Sequence, residues 1–336
     1  MIKILLLPFS MLYLGITKIR NFLYDRDLLP SEGLKVPVIS VGNITAGGTG
    51  KTPFTIALAN HLKEKGYKPV IITRGYKKMS KGQVIVSRGE GPLVSPEIGG
   101  DEPYLMARKT TAHVIADPNR YQAGLTAQQY DCNVIIADDA FQHRSLNRDV
   151  DIVLWDAAHN PKQAQPLPSG YLRESIKSVR RADFLIFSRT AEISQHHSHY
   201  FKKLAPEITQ FPTPLVIKKL YTAADHKNVD FDTVRNRKVL AFCGLGNPDQ
   251  FYKTIEKLQP EKIHFKAFAD HYKYGQKDLE KLTKKAKQLN CDYLLTTEKD
   301  FTNFPAKYNP APKILILEVT MQIDSALLKQ ILACFK

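Results

Sequence analysis

Lys51 and Thr52 close the run Gly-Gly-Thr-Gly-Lys-Thr at residues 47–52. Backbone N–H groups of such a run, followed by a helix N-terminus, form a concave anion site. A lysine placed there reaches the β- and γ-phosphate oxygens of a nucleotide, and the next hydroxyl binds Mg²⁺. The expected ATP-binding residues are Thr45, Ala46, Gly47, Gly48, Thr49, Gly50, Lys51 and Thr52. The common phosphate-loop pattern begins with Gly, where this chain has Thr45. That departure demands only that position 45 avoid a conformation reserved for Gly. A Gly-rich turn with no ligand is the plain alternative.

A nucleotide loop needs an acidic partner for the metal. "NVIIADD" supplies Asp138 and Asp139 after an apolar strand, where carboxylates face the crevice of an open α/β sheet. They can hold Mg²⁺ directly or through water, or simply cap the next turn. Asp101 in "GGDEP", Asp117 in "ADPNR" and Glu174 in "LPSGYLRE" are weak signals taken singly. "GLGNPD" at residues 244–249 lacks the third Gly of a dinucleotide fingerprint and reads as a strand-to-helix turn. His196, His197 and His199 have no Cys or carboxylate nearby at ligand spacing, so a helix start or loop outweighs a metal site there. The cysteines, Cys132, Cys243, Cys291 and Cys334, are far apart, which argues against a disulfide framework.

Strand-like and helix-like segments alternate around these residues. "VPVISVG", "PVIITRG", "CNVIIADD", "DIVLWD" and "ADFLIFS" read as buried strands, with helical segments such as "TPFTIALANHLKEKG" between several of them. The pattern predicts an α/β fold: a P-loop NTPase-like, mostly parallel sheet with helices on both faces. The Pro-rich segment "FPTPLVIKK" marks a boundary. The expected division is an N-terminal helix at 1–28, a core at 29–216 and a smaller α/β domain at 217–336, whose last helix is free to pack on either domain.

The N-terminus carries an uncharged stretch from Ile4 to Thr17. Wholly helical, it spans about 21 Å, short of a bilayer core of about 30 Å. No small-residue cleavage site follows, which disfavours a signal peptide. Lys18, Arg20 and Arg26 beside Ile19, Phe22 and Leu23 fit an amphipathic helix lying in a membrane interface. The alternative is a helix buried against the protein's own core. A formal net charge of +15 favours anionic partners. No nucleic-acid motif accompanies it, so phosphorylated substrates and lipid headgroups fit better than nucleic acid.

Taken together, "VGNITAGGTGKTP", "RGY", "GDEP", "DPNRY", "DDAFQH", "LPSGYLRE", "GLGNP", "FADHYKY" and "TTEKD" resemble the tetraacyldisaccharide 4'-kinases, the lipid A 4'-kinase family. The resemblance covers nearly the whole chain, and the order of its motifs is more specific than any one of them. It implies ATP- and Mg²⁺-dependent phosphorylation of the 4'-hydroxyl of a tetraacylated glucosamine disaccharide 1-phosphate, giving lipid IV A. The place implied is the cytoplasmic face of the inner membrane, with no obligate protein partner. By the same resemblance Asp101 and His271 form the catalytic pair, supported by Lys51. Thr52, Asp138, Asp139 and Glu174 carry metal-linked roles. Tyr76, Asn119, Arg120, Gln142, His143 and Arg173 fall on the substrate side. The family more often has Gly at Ala140, which puts the local turn in question.

Other classes fit less well. A P-loop ATPase acting as a switch or partitioning factor carries a second signature Lys early in the loop, where this chain has Ala46. A kinase of soluble small molecules leaves the N-terminal apolar segment without a purpose.

Overall fold

Runs of aliphatic residues flanked by Gly, Pro and Asp set the strands, and amphipathic segments between them set the helices. The computed structural model describes residues 5–76, 78–270, 272–305 and 313–335. The chain divides into two units: Met1–Leu215 together with Met321–Lys336, and Val216–Thr320.

In the first unit, helix α1 (Leu7–Asp25) precedes strand β1 (Val38–Asn43) and helix α2 (Lys51–Glu64). Then come β2 (Pro69–Thr73), β3 (Val84–Arg88), α3 (Asp101–Lys109), β4 (His113–Ala116), α4 (Arg120–Ala127) and β5 (Val134–Asp138). The run ends with β6 (Val150–Asp156), β7 (Phe184–Ser188), α5 (Gln195–Leu204) and β8 (Thr209–Thr213). The sheet order is β3-β4-β2-β5-β1-β6-β7-β8, and only the β3–β4 pair is antiparallel. Every residue of β1, β2, β5, β6 and β7 is buried. That is the signature of a parallel sheet covered on both faces.

Alternation along the strands sorts the core into two layers. Ile39, Val41, Ile71, Ile136, Ile152, Leu154 and Ile186 pack with Phe54, Leu58 and Leu62 of α2 and with Met106 of α3. On the opposite face Val38, Val70, Ile72, Ile135 and Ala137 meet Ala123 and Ala127 of α4. Val153, Trp155, Leu185 and Phe187 meet Phe201 of α5. The β1–β5 register pairs Val41 with Asp138. The loop leaving β1 and the acidic end of β5 are therefore neighbours by construction.

The second unit is a six-stranded sheet in the order β10-β9-β14-β13-β11-β12. Its strands are β9 (Leu215–Thr222), β10 (Asn228–Val229), β11 (Lys238–Cys243), β12 (Lys262–Ala267), β13 (Tyr293–Thr297) and β14 (Ile314–Met321). Helix α6 (Pro248–Glu256) packs Phe251 and Ile255 against Val239 and Ala241. Helix α7 (Gln276–Gln288) packs Leu279 and Leu282 against Leu240 and Phe242. The buried Asp300 carboxylate accepts from Gly244 N–H at 2.7 Å and Tyr274 Oη at 2.9 Å. One side chain thus laces together the "GLGNP", "HYKY" and "TTEKD" segments. The reading of "GLGNPD" as a strand-to-helix turn fits: it joins β11 to α6, and the Asn247 side chain caps that helix.

Helix α8 (Ser325–Ala333) belongs to the first unit. Ile323, Leu327, Leu328 and Ile331 enter the same layer as α2 and α3. The span 217–336 is therefore not one body: the chain returns to the first unit at Met321.

Helix α1 is amphipathic in an inverted sense. Its buried residues are the hydroxyl-bearing Ser10 and Thr17. Ser10 Oγ donates to Ser169 Oγ at 2.8 Å, Tyr13 Oη to the Arg173 carbonyl at 2.7 Å, and Asn21 Nδ2 to Glu174 at 2.8 Å. Arg144 adds an ion pair to Asp25 at 2.7 Å. Phe9, Met11, Leu12, Ile16, Ile19 and Phe22 are left exposed. No helix among the described residues is long and apolar enough to cross a membrane.

Candidate active site

Gly50 sits immediately before α2 with φ 87°, a left-handed backbone that a residue with a side chain enters only under strain. Gly47 is the other left-handed position of the loop, at φ 102°. Thr45 is not among the positive-φ residues, so the missing pattern glycine costs the loop nothing. Thr45 is instead buried and bridged antiparallel to Leu172. Asn43 laces the loop from inside, donating to Thr49 Oγ1 at 2.8 Å and to Thr45 Oγ1 at 3.4 Å. The Ala46 N–H donates to the Tyr171 carbonyl at 2.6 Å and so is no part of the expected phosphate cradle. The amides of Gly47, Gly48, Gly50, Lys51 and Thr52 have no acceptor among the described residues. Five free N–H groups at a helix N-terminus fit a polyphosphate.

Lys51 Nζ lies 3.4 Å from Asp139 Oδ1, and Arg173 grips the same carboxylate at 2.8 and 3.1 Å. Burial pushes the Asp139 carboxyl up, but Lys51 and Arg173 outweigh it and hold it below the usual range. Asp139 takes the left-handed backbone of this turn, at φ 50°. Ala140 does not, so the turn requires no Gly at that position.

Asp138 is 1% exposed and accepts from Thr55 Oγ1 at 3.0 Å and Thr73 Oγ1 at 3.2 Å. Burial, then repulsion from Glu102 and Asp139, pushes its carboxyl up to about 7. The pair therefore divides into one ionised carboxylate and one that waits for a cation. With the Thr52 hydroxyl they are oxygen donors of the kind that could hold a divalent ion.

Glu174 is different. Its buried carboxylate accepts from Arg181, from Gln142 Nε2 at 2.7 Å and from Asn21. Burial raises its pKa, but Arg181, Gln142 and the other donors bring it below normal. With these donors on its oxygens, it joins α1, the 165–174 segment and Gln142. Gln142 also donates to the Asn43 carbonyl at 2.7 Å. Among the described residues no group of three or more His, Cys, Asp or Glu gathers to hold a metal.

Asn119 and Arg120 are both engaged by backbone groups. Asn119 caps α4 by accepting from Tyr121 and Gln122 N–H. Arg120 is 2% exposed and donates to the Asp117 carbonyl at 2.9 Å and the Asp138 carbonyl at 3.1 Å. Burial lowers its pKa to about 10. It ties the ends of β4 and β5. Tyr76 is exposed, and Asp101 opens α3 directly after Gly100. A Cβ on Gly100, whose φ is 95°, would come within 3.2 Å of the Tyr76 carbonyl. The "RGY" and "GDEP" segments therefore touch. His271 lies outside the described residues.

Around His143 burial, aided by Arg120, Arg148, Arg74 and Arg20, pushes the imidazole down to about 4. Its folded pKa is then below the ordinary 6.5. Between those values the unfolded chain binds the extra proton, so stability present above about 6.5 is lost as pH falls toward about 4. Thermal melts of His143→Gln across this window are expected to show a flatter acid slope than the parent. An unchanged slope would refute the assignment.

The histidine cluster proves to be a helix start. Ser194 caps α5, His197 Nδ1 pairs with Ser194 Oγ at 2.6 Å, and His197 Nε2 pairs with the His159 carbonyl at 2.9 Å. Sequence reasoning missed Asn43, Thr55, Thr73 and Arg181. Thr55 was the most accessible of these, one helical turn after Lys51.

A family model described as tetraacyldisaccharide-1-P 4'-kinase matches residues 2–336. A tetraacyldisaccharide 4'-kinase from Desulfotalea psychrophila is 40% identical, over 87% of this chain and 85% of its own. One from Aquifex aeolicus is 41% identical, over 82% and 84%. A crystal structure of LpxK from Aquifex aeolicus in complex with ATP is 35% identical, with a TM-score of 0.77 and full coverage of both chains.

Proposed function

We infer that this chain, which belongs to the tetraacyldisaccharide-1-P 4'-kinase family, transfers the γ-phosphate of ATP to the 4'-hydroxyl of a tetraacyl glucosamine disaccharide 1-phosphate. The observation that carries this reading is Asp139, on which a nucleotide-side cation, Lys51, and an acceptor-side cation, Arg173, converge. The free amides of Gly47, Gly48, Gly50, Lys51 and Thr52 bind the polyphosphate. Lys51 moves from Asp139 onto the β- and γ-phosphate oxygens. Thr52, Asp138 and Asp139 would hold Mg²⁺, which would supply positive charge against the developing phosphoryl charge. The 4'-oxygen bonds to the γ-phosphorus as the bond to the β,γ-bridging oxygen breaks, and ADP leaves with those electrons. Asp101 accepts the hydroxyl proton. His271, the other member of the expected pair, lies outside the described residues. Arg173, released by Asp139, presents a planar fork to the acceptor's phosphate. Tyr76 and Gln142 line the acceptor side.

The test is transfer of label from γ-labelled ATP, with Mg²⁺, to the disaccharide 1-phosphate in mixed micelles. Label is expected in the lipid at the 4'-position. Label found only in inorganic phosphate would mean an ATPase and sink the reading.

The inverted helix α1 supports a place on the cytoplasmic face of the inner membrane. Exposed apolar groups opposite a hydroxyl-lined docking face are costly in water and favoured in a lipid interface. The variant Phe9→Glu/Leu12→Glu/Ile16→Glu alters residues that point away from the core. It is expected to lose binding to phospholipid vesicles and transfer to lipid-embedded acceptor, with the melting temperature within about 2 °C. Undiminished sedimentation with vesicles would overturn the membrane role.

A further inference from the structure

Outside the residues already placed, one charged pair reaches the phosphate loop from behind. Arg189 follows β7, and its Nη2 donates to the Gly48 carbonyl at 2.5 Å. Its Nη1 pairs with Asp156 at the end of β6. Asp156 is buried and also accepts from Ala158 N–H at 3.0 Å. The Arg189 amide donates to the Thr213 carbonyl at 2.8 Å. The guanidinium is therefore fixed at its base, at its tip and along its flank.

The backbone of Arg189 is the second observation. Its φ is 67°, the left-handed region that a long side chain enters only at a cost. Gly or Asn would take that conformation more cheaply. An arginine kept there is kept for its side chain, and the side chain meets Asp156 and Gly48.

We propose that Arg189 is a positioning residue for ATP: held by Asp156, it fixes the Gly48–Thr49 peptide and so pre-sets the amide cradle. Gly47 and Gly48 are exposed and would otherwise sample many backbone states. A charged donor on the Gly48 carbonyl locks that peptide plane, while Asn43 locks the Thr49 side chain from the other direction. Ordering the loop before the ligand arrives lowers the entropy lost on binding. The bond to the loop is to a carbonyl, so Arg189 acts through the loop. ATP and ADP should feel it alike.

This proposal rests on the nucleotide reading above. The experiment measures ATP and ADP dissociation constants by calorimetry, together with kcat, for the full chain and for Arg189→Met, Arg189→Lys and Asp156→Asn, each checked by its melting curve. Arg189→Met is expected to weaken ATP and ADP in parallel by about tenfold, with kcat at saturation within about threefold. Arg189→Lys, which cannot fork between two acceptors, is expected to recover part of the loss. Asp156→Asn is expected to show the same loss in smaller measure, and it keeps the test open if Arg189→Met does not fold. Affinities within twofold of the parent in the folded variants would overturn the proposal. So would a fall in kcat with unchanged affinity, which would put Arg189 on the reacting phosphate. Lys51→Ala serves as control: if the parent and Lys51→Ala bind ATP equally, the nucleotide reading itself has failed.

Discussion

Lys51→Ala is expected to cut phosphoryl transfer by a factor on the order of 10³. Phosphoryl transfer asks for little covalent work from the protein, and charge placed on the equatorial oxygens carries most of the acceleration. Lys51 is already held in the site by Asp139 at 3.4 Å, so it needs only a short movement to reach a phosphate. Removing it has a second effect. Lys51 is among the groups that oppose the upward push on Asp138, and it helps keep Asp139 ionised. Without it two adjacent carboxylates confront a polyanion with one cation fewer, so ATP affinity should fall along with turnover. Single-turnover transfer from γ-labelled ATP, set beside calorimetric ATP binding, measures both. Transfer within tenfold of the parent would mean that another cation does this work.

The phosphate loop was legible because its chemistry is local. A strand, a Gly-rich turn and a helix follow in sequence, and the amides that bind are those of the turn itself. The same holds for Asp138 and Asp139, whose position at the end of β5 follows from one apolar run. Glu174 and Arg120 were not legible in the same way. Each is a charged residue in a distinctive motif, and each is engaged by partners within the protein itself. Glu174 is taken by Asn21, Gln142 and Arg181, and Arg120 by the carbonyls of Asp117 and Asp138. A motif records that a residue type is needed, not whether it faces a ligand or a neighbour. Helix α8 shows the same limit for the fold. Its apolar stripe announces burial, but the choice of unit depends on where β14 ends and on the gap left beside α2. Helix α1 was half legible: the apolar stretch is plain in the sequence, while its docking through Ser10, Tyr13 and Asn21 is a tertiary fact.

Asp101→Ala is expected to lower kcat by about 10²–10⁴, the span that general base catalysis supplies. The sugar hydroxyl is a weak nucleophile, and its proton must go to a group that is ionised before attack. Asp101 meets that need by position. It is the first residue of α3, where the helix dipole favours a negative charge. The chain enters that helix through Gly100, packed against the Tyr76 carbonyl, so the carboxylate is carried on a fixed turn. A base of this kind stabilises only the transition state, so ATP affinity should stay within about threefold of the parent. That separates Asp101 from Lys51, whose loss should cost binding as well as turnover. If ATP affinity instead falls in step with kcat, Asp101 supports the nucleotide and its metal, and the proton must leave by another group.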